Sequence, residues 1–228
     1  MKIYYLQHSG FVIDLGDKAY VFDYYKDPKK IVNQLQEEGR KLYFFVSHVH
    51  FDHYAKEILD FPGVAYVYHE DVPLRKDIGE TSAQLYPMAV GDTIDMDGLR
   101  ITMHGSTDAG GSFEIHGAGH NWFYAGDLNW WHWLGDTEEN KQEAKDLQEE
   151  HFKTLAGMAV DVAFFPVDAR LEGAREWGVI EFLRLVKADV LIPMHYNGAP
   201  WEPSEYVRYL FRNQQYWIPQ QEGDVYQS

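Results

Sequence analysis

The sequence contains no cysteine among its 228 residues. This absence excludes disulfide bonds and thiolate metal ligands, so nitrogen and oxygen atoms would have to hold any bound metal. Long hydrophobic runs are also missing: no segment approaches the roughly 20 apolar residues of a transmembrane helix, and the N-terminal segment lacks the apolar region of a secretory signal. A cytoplasmic location is therefore expected.

Basic residues are scarce, with 20 Lys and Arg against 36 Asp and Glu, which gives a formal net charge of −16 at pH 7. Such a chain repels phosphate backbones and anionic membrane surfaces, so neither nucleic acid nor membrane is expected as a partner. A small-molecule substrate remains possible, even an anionic one, because bound metal ions reverse the sign of the local charge. The high aromatic fraction of 16% excludes a disordered chain and is compatible with a homo-oligomer.

The alternation of strand-like and helix-like segments predicts an α/β fold. Length and the lack of a linker or repeat predict one domain over residues 1–228. Strands are predicted at residues 3–7, 10–15, 19–23, 42–46, 64–68, 123–127, 160–167 and 190–194, with further strands between 89 and 113. Helices are predicted at residues 29–38, 53–60, 138–158, 176–187 and 202–212.

The most informative stretch is VSHVHFDHY, residues 46–54, directly after the apolar run LYFFV. His48 and His50 alternate along an extended segment, so both imidazoles can face one ion, while Asp52 and His53 can face a second ion one turn onward. The stretch therefore predicts a metal site at the end of a strand.

The segment HVHFDH resembles the HxHxDH signature of the metallo-β-lactamase-fold hydrolases. The resemblance implies a four-layer αββα sandwich with a mono- or dinuclear metal centre at one sheet edge. It also implies a bridging carboxylate at Asp127 in FYAGD and a last histidine at His195 in LIPMH. By the same resemblance, Asp23 is expected to orient the ligand loop, with a turn residue as the alternative, and His8 to lie near the site without binding metal.

One position departs from the family pattern, because no histidine occupies the expected turn before Asp127. The segment reads HGSTDAGGSF, and Asp108 is the favoured replacement, since the glycines after it allow close backbone approach to an ion. His104 is the alternative. The expected ligands are then His48, His50 and Asp108 for one metal, and Asp52, His53 and His195 for the other, with Asp127 between them. Zinc is the first expectation, with manganese or iron as alternatives, because a carboxylate in place of imidazole favours harder metals.

The segments GSTDAGGSF and AGDLNWWHW indicate an uncharacterised branch of the superfamily. The three tryptophans of the second segment are interpreted as a cap over the core. His132 is a hypothetical proton donor and Asn129 a hypothetical substrate or metal contact. Arg170, after a strand that ends at Val167, is a candidate to hold a substrate carboxylate or phosphate, with a plain surface arginine as the alternative.

These residues predict a hydrolase in which a metal-activated water cleaves an ester, lactone, amide or phosphoester bond of a small molecule. Asp52 is expected to orient that water or accept its proton. The alternative function is a non-catalytic metal-binding or ligand-binding module on the same fold.

Overall fold

The computed structural model describes residues 1–227. In this range the strands are β1 (Lys2–Gln7), β2 (Gly10–Asp14), β3 (Lys18–Phe22), β4 (Lys41–Val46), β5 (Gly63–His69), β6 (Gln84–Met88), β7 (Thr93–Met96), β8 (Leu99–His104), β9 (Ser112–Gly117), β10 (His120–Tyr124), β11 (Ala159–Pro166), β12 (Lys187–Met194), β13 (Gln215–Tyr216) and β14 (Val225–Gln227). The α-helices are α1 (Ile31–Glu37), α2 (Leu74–Ile78), α3 (Glu138–Lys153), α4 (Trp177–Leu185) and α5 (Glu205–Leu210). None of the helices in this range has the length and apolar content that crossing a bilayer requires.

The first of two compact units comprises residues 1–89 and 219–227 and contains a seven-stranded sheet in the order β14-β1-β2-β3-β4-β5-β6. Strands β1, β2 and β3 are antiparallel neighbours, whereas β3 to β6 are parallel. The central strand β4 is buried at every position after Lys41, as expected for a parallel strand covered on both faces. The carboxyl ends of β3 and β4 therefore lie side by side, at the point where the histidine-rich loop begins.

The second unit, residues 90–218, contains a seven-stranded sheet in the order β13-β12-β11-β10-β9-β8-β7. Strands β7 to β10 are antiparallel, and β10, β11, β12 and β13 are parallel. The carboxyl ends of β10, β11 and β12 consequently meet at one edge of this sheet. Asp127, Asp168 and His195 follow these three strands.

Helix α4 covers the second sheet with an apolar face. Phe182 is fully buried and stacks on Phe165 and Phe123, with ring centroids 4.5 and 5.4 Å away. Phe152 of α3 stands edge-on to the same cluster at 6.0 Å from Phe165. Burying one such ring contributes about 1.5–3 kcal/mol. This packing fixes α4 beneath the loop that follows β10.

The strands and helices predicted at the main apolar segments are present, with several differences. The segment predicted as a helix at residues 53–60 forms only a 3₁₀ turn, Lys56–Asp60. Helix α3 ends at Lys153, earlier than predicted, because the chain turns over Thr154–Gly157 and Gly157 has a φ of 85°. Strands β6, β13 and β14 and helix α2 were not predicted. The single domain over residues 1–228 stays a prediction.

Candidate metal centre

The first unit gathers six polar side chains around the loop after β4, and we call them the histidine cluster: His8, Asp23, His48, His50, Asp52 and His53. Asp23, His48 and His53 are buried, whereas His50 is exposed. The loop is held as a turn because the His50 carbonyl accepts the amide hydrogens of His53 at 3.0 Å and Tyr54 at 2.9 Å. The predicted ligands of VSHVHFDHY thus converge within one turn.

Asp23 is the centre of the hydrogen bonds that fix this loop. Its carboxylate accepts the Ser47 amide at 2.7 Å and the Ser47 hydroxyl at 2.6 Å, and it pairs with Nδ1 of His53 at 2.6 Å. The Ser47 hydroxyl also lies 2.9 Å from Nδ1 of His48. The Nδ1 atoms of His48 and His53 are therefore both hydrogen-bonded. A carboxylate or hydroxyl partner at Nδ1 orients the ring so that Nε2 can bind a metal. This is the orienting position expected for Asp23.

Nitrogen donors converge at the outer side of the same loop. Nε2 of His48 lies 3.1 Å from Nδ1 of His50. In addition, His8, Asp52 and His53 each offer a ligand atom within 4.8 Å of one another. Nitrogen and carboxylate oxygen donors at these separations match the donor set that zinc, manganese and iron accept. The histidine cluster therefore fits a divalent metal.

His8 lies at the site, next to Asp52. Its Nε2 atom is 3.2 Å from Oδ2 of Asp52, and its backbone has a φ of 59°. Burial alone would raise the pKa of Asp52, but the hydrogen bond from His8 and the charge of His53 outweigh it and hold the pKa well below its usual range. These contacts stabilise the ionised form of Asp52.

The second unit brings Asp108, Asp127 and His195 together, and with Asp168 they form what we call the aspartate cluster. Asp108 and Asp127 each offer a carboxylate oxygen within 4.8 Å of the other. Nε2 of His195 lies 3.4 Å from Oδ1 of Asp127. Two carboxylates this close repel each other in the absence of a cation or proton, so this arrangement also fits a metal.

Asp168 is the partner of His195. This carboxylate is fully buried, accepts Nδ1 of His195 at 3.0 Å and Nδ2 of Asn197 at 2.9 Å, and receives a bidentate contact from Arg170, with Nε at 3.1 Å and Nη2 at 2.6 Å. Burial would raise the pKa of Asp168, but the hydrogen bonds from His195 and Arg170 hold the pKa below its usual range. Asp168 thus acts on His195 as Asp23 acts on His53.

The sequence analysis missed this role of Asp168, although a signal was present. Asp168 and His195 each follow the end of an apolar strand, and parallel pairing of β11 with β12 places Val167 next to Met194, whose carbonyl accepts the Val167 amide at 2.9 Å. A carboxylate and a histidine that follow two adjacent parallel strands within one or two residues are expected to meet.

Asp108 and His104, the two candidates for the position where the family has a histidine, lie in different surroundings. Asp108 is exposed and lies beside Asp127, whereas Nε2 of His104 pairs with Glu114 at 2.8 Å. Thr107 ties the Asp108 segment to the next loop, because its hydroxyl donates to the Asn129 carbonyl at 2.6 Å and accepts the Asn129 amide at 2.9 Å. The structure thus brings Asp108, and not His104, to the aspartate cluster.

Trp131 contacts the predicted ligands directly. Its indole nitrogen donates to the Asp127 carbonyl at 2.9 Å, and its ring stands edge-on to His195 with centroids 5.5 Å apart. Trp131 also stacks on Trp133 at 5.8 Å, and the Arg170 guanidinium lies 5.4 Å from the Trp133 ring. Trp131 and Trp133 are both half-buried, and the interpretation of the tryptophans as a cap over the core stays a prediction.

Three residues with predicted substrate or proton-transfer roles lie outside the two clusters. Asn129 is 1% exposed and neither amide atom has a hydrogen-bond partner in residues 1–227. The ring of His132 packs on Trp177 at 4.6 Å. The Arg170 guanidinium is half exposed but is committed to Asp168. Their predicted roles stay predictions, and the structure shows Arg170 in contact with Asp168 and Trp133.

Comparison with known protein families identifies the superfamily of this chain. A model described as a β-lactamase superfamily domain matches residues 2–195, which is most of the chain and includes both clusters. The chain belongs to the metallo-β-lactamase superfamily. Two curated relatives, both named UPF0173 metal-dependent hydrolase, come from Alkaliphilus metalliredigens and Pelotomaculum thermopropionicum. The first is 25% identical and the second 24%, covering 88% and 90% of this chain and 87% and 90% of their own lengths.

Solved structures agree on the fold of this superfamily member. Igni18, a metallo hydrolase from the archaeon Ignicoccus hospitalis, superposes with a TM-score of 0.71 at 17% identity, covering 99% of this chain and 97% of its own. The metallo-β-lactamase fold predicted from HxHxDH is confirmed. As a metallo-β-lactamase superfamily protein, the chain carries histidine and aspartate side chains whose ligand atoms lie close enough together to hold a metal ion.

Proposed function

We propose that this protein is a hydrolase that uses a metal-activated water to cleave an ester, lactone, amide or phosphoester bond of a small molecule. The observation that carries the proposal is the HVHFDH loop, whose histidines are oriented by the fully buried Asp23. A buried carboxylate devoted to orienting histidines is the arrangement that a metal-binding loop requires. The hydrolase names of the two relatives support the same reading.

We propose two divalent metal ions per chain, with zinc first and manganese or iron as alternatives. The proposed ligands are His48, His50, Asp52, His53, Asp108, Asp127 and His195. When bound, such ions polarise the scissile group and lower the pKa of a coordinated water to about 7. The absence of cysteine from the sequence leaves only nitrogen and oxygen ligands for this task.

The chain's own residues supply orientation and a proton acceptor. The hydrogen bond from His8 and the charge of His53 outweigh burial and lower the pKa of Asp52, which is ionised at neutral pH. An ionised carboxylate within about 2.6–3.2 Å of the reacting water can orient it or accept its proton, and the lowered pKa of Asp52 favours the orienting role. Asp23 and Asp168 hold the imidazoles of His53 and His195 through Nδ1, and they do not touch the substrate in this proposal.

The setting proposed for this activity follows from charge and composition. A net charge of −16 supports a small-molecule substrate, with neither nucleic acid nor membrane as a partner. A cytoplasmic location and a homo-oligomeric state remain part of the proposal.

The test is metal-dependent hydrolysis. Protein stripped with a chelator and reloaded with zinc, manganese or iron would be assayed with p-nitrophenyl acetate, γ-butyrolactone and bis-p-nitrophenyl phosphate. We expect activity on one substrate class that returns only with metal and falls at least about 100-fold in Asp52→Asn, as for loss of an acid–base group. Asp95→Asn is the matched control, because Asp95 is an exposed carboxylate of β7. Metal binding without hydrolysis of any substrate would instead support the non-catalytic module.

A further inference from the structure

Phe51 is an exposed aromatic ring at the histidine cluster of the first unit. Its side chain is 74% exposed, more than any other large apolar side chain in residues 1–227. In the sequence Phe51 lies between His50 and Asp52, two of the proposed metal ligands, so its Cα atom is about 3.8 Å from the Cα atom of each. Burial is what makes such a ring stabilising, so Phe51 adds little to the hydrophobic core. Its position instead suits contact with a molecule bound at the histidine cluster.

Tyr25 supports Phe51 and joins it to the histidine cluster. The rings of Tyr25 and Phe51 stand edge-on, with centroids 5.8 Å apart and an interplanar angle of 79°. The His8 ring also stands edge-on to Tyr25, at 6.4 Å. The tyrosine is held beside the histidine-rich loop because the carbonyl of its neighbour Tyr24 accepts the Ala55 amide at 3.0 Å. Tyr25 and Phe51, which we call the aromatic pair, therefore form an apolar surface next to His8.

A lysine lies against the aromatic pair. The Nζ atom of Lys26 is 4.4 Å from the centroid of the Tyr25 ring. Lys26 is exposed, and it forms no salt bridge with any residue in the range 1–227. Lys29 and Lys30, which are exposed in the same loop, likewise have no salt-bridge partner in that range. Three ammonium groups beside the histidine cluster thus lack an acidic partner from the described part of the chain.

The loop at residues 26–30 is a local excess of positive charge in an acidic chain. Its sequence KDPKK contains three lysines and one aspartate, whereas the whole chain has a formal net charge of −16. The aspartate, Asp27, accepts the Val32 amide at 2.8 Å and is therefore engaged with the first turn of α1. Positive charges at the rim of a site raise the local concentration of anions. The lysines therefore favour an anionic ligand at the histidine cluster, and a bound metal ion would favour it further.

We propose that Tyr25, Lys26 and Phe51 form a substrate subsite beside the histidine cluster, and that the substrate carries an apolar ring and an anionic group such as a carboxylate or phosphate. The ring of the substrate packs against the aromatic pair, and its anionic group pairs with Lys26. Phe51 and Lys26 thereby determine specificity, one for the ring and the other for the charge. The subsite rests on the proposed hydrolase function only in naming its occupant a substrate.

The test measures binding to the protein as purified and after treatment with a chelator, so it does not depend on hydrolysis. The probes are benzenesulfonate, methanesulfonate and benzyl alcohol, which separate the ring from the charge, and ligand-observed NMR titration gives their affinities. We expect benzenesulfonate to bind more tightly than either of the others. Lys26→Gln should weaken benzenesulfonate binding about two- to fivefold, the range of one exposed charge contact, and leave benzyl alcohol unchanged. Phe51→Ala should weaken both ring-bearing probes about 2- to 12-fold and leave methanesulfonate unchanged.

Two exposed side chains elsewhere in the first unit provide matched controls. Lys2→Gln removes the same charge at the far end of β1, about 20 Å from His8, and Val64→Ala truncates an exposed apolar side chain of β5. Neither should change the binding of any probe, and circular dichroism checks that every variant is folded.

Three results would each overturn the subsite: equal effects of Lys26→Gln and Lys2→Gln, unchanged benzenesulfonate binding by Phe51→Ala, or benzyl alcohol binding as tightly as benzenesulfonate. Selective binding of benzenesulfonate by a protein that hydrolyses no substrate would overturn the proposed function alone.

Discussion

Replacing Gly178 by alanine is expected to destabilise the protein, although alanine is the better helix former. Gly178 lies in the first turn of α4, directly beneath the loop that follows β10. A Cβ atom at Gly178 would collide with Oδ1 of Asn129 and would stand 3.0 Å from both Cγ of Asn129 and the backbone nitrogen of Trp130. The Asn129 backbone cannot move freely, because Thr107 binds both its amide and its carbonyl.

Two opposing effects set the magnitude of this change. In a helix interior, Gly to Ala would stabilise by about 0.8–1.0 kcal/mol, and by less in a first turn. Inserting a methyl group into a packed site costs about 1–3 kcal/mol. The cost of the collision is therefore larger than the gain in helix propensity, and we expect the free energy of unfolding to fall by about 1–2 kcal/mol. For a chain of this size that corresponds to a Tm lower by roughly 2–8 °C.

The assay is thermal and guanidinium unfolding of the metal-free protein. Gly135→Ala is the control, because a Cβ atom there meets nothing within 4 Å. The double variant Gly178→Ala with Asn129→Ala should recover part of the loss, since it removes the Oδ1 atom and leaves only the tight approach to Trp130. A Gly178→Ala protein as stable as the wild type, or more stable, would refute the claim that the loop is pinned against α4.

Two further predictions concern buried and half-buried carboxylates. Asp168→Asn should lower metal affinity about 10- to 100-fold, because it removes the charge that orients His195 through Nδ1; chelator competition measures this. Glu114→Gln should destabilise the protein most between about pH 4.5 and 6.5, as measured by the free energy of unfolding across pH. The pKa of Glu114 is lowered from its ordinary 4.5, chiefly by the His104 hydrogen bond, so its contribution is lost as pH falls through the lowered value. Burial lowers the pKa of His116, but the hydrogen bond that His116 donates to Glu114 raises it above 6.5, so that contribution is lost as pH rises.

Controls for these two changes are available on the same elements. Asp189→Asn alters an exposed carboxylate of β12 and should leave metal affinity unchanged. Glu139→Gln alters an exposed carboxylate of α3 and should leave the pH dependence of unfolding as in the wild type. An Asp168→Asn protein with wild-type metal affinity, or a Glu114→Gln effect that is the same at every pH, would contradict the assignments.

Local patterns predicted the parts of the fold that depend on local sequence. The five apolar residues before Ser47 form β4 as expected, because a central parallel strand is uniformly apolar. Strand β14 was not predicted, since only its pairing with β1, more than 200 residues earlier in the sequence, creates it. Strand β6 also escaped prediction, because its sequence QLYPM shows no alternation of polar and apolar residues and four of its five residues are half-buried or exposed.

In the candidate site, too, the local features could be predicted and the long-range contacts could not. The histidine loop could be predicted because its ligands are within six residues of one another. The roles of Asp168 and Trp131 depend on contacts with His195, which is 27 residues from the first and 64 from the second, and such contacts need the strand pairing to be known. The burial of Asn129 depends on Gly178 in a helix that no local pattern links to it.

The most direct test of the metal-dependent reading is the metal content of purified protein by ICP-MS, comparing wild type with His50→Ala and Asp108→Ala. His69→Ala is the control, because His69 pairs with Asp71 at 3.1 Å and belongs to neither cluster. We predict about two metals per wild-type and His69→Ala chain, and fewer in both ligand variants. A metal-free wild type that cannot be reloaded, or metal content unchanged by His50→Ala and Asp108→Ala, would contradict the proposed metal centre.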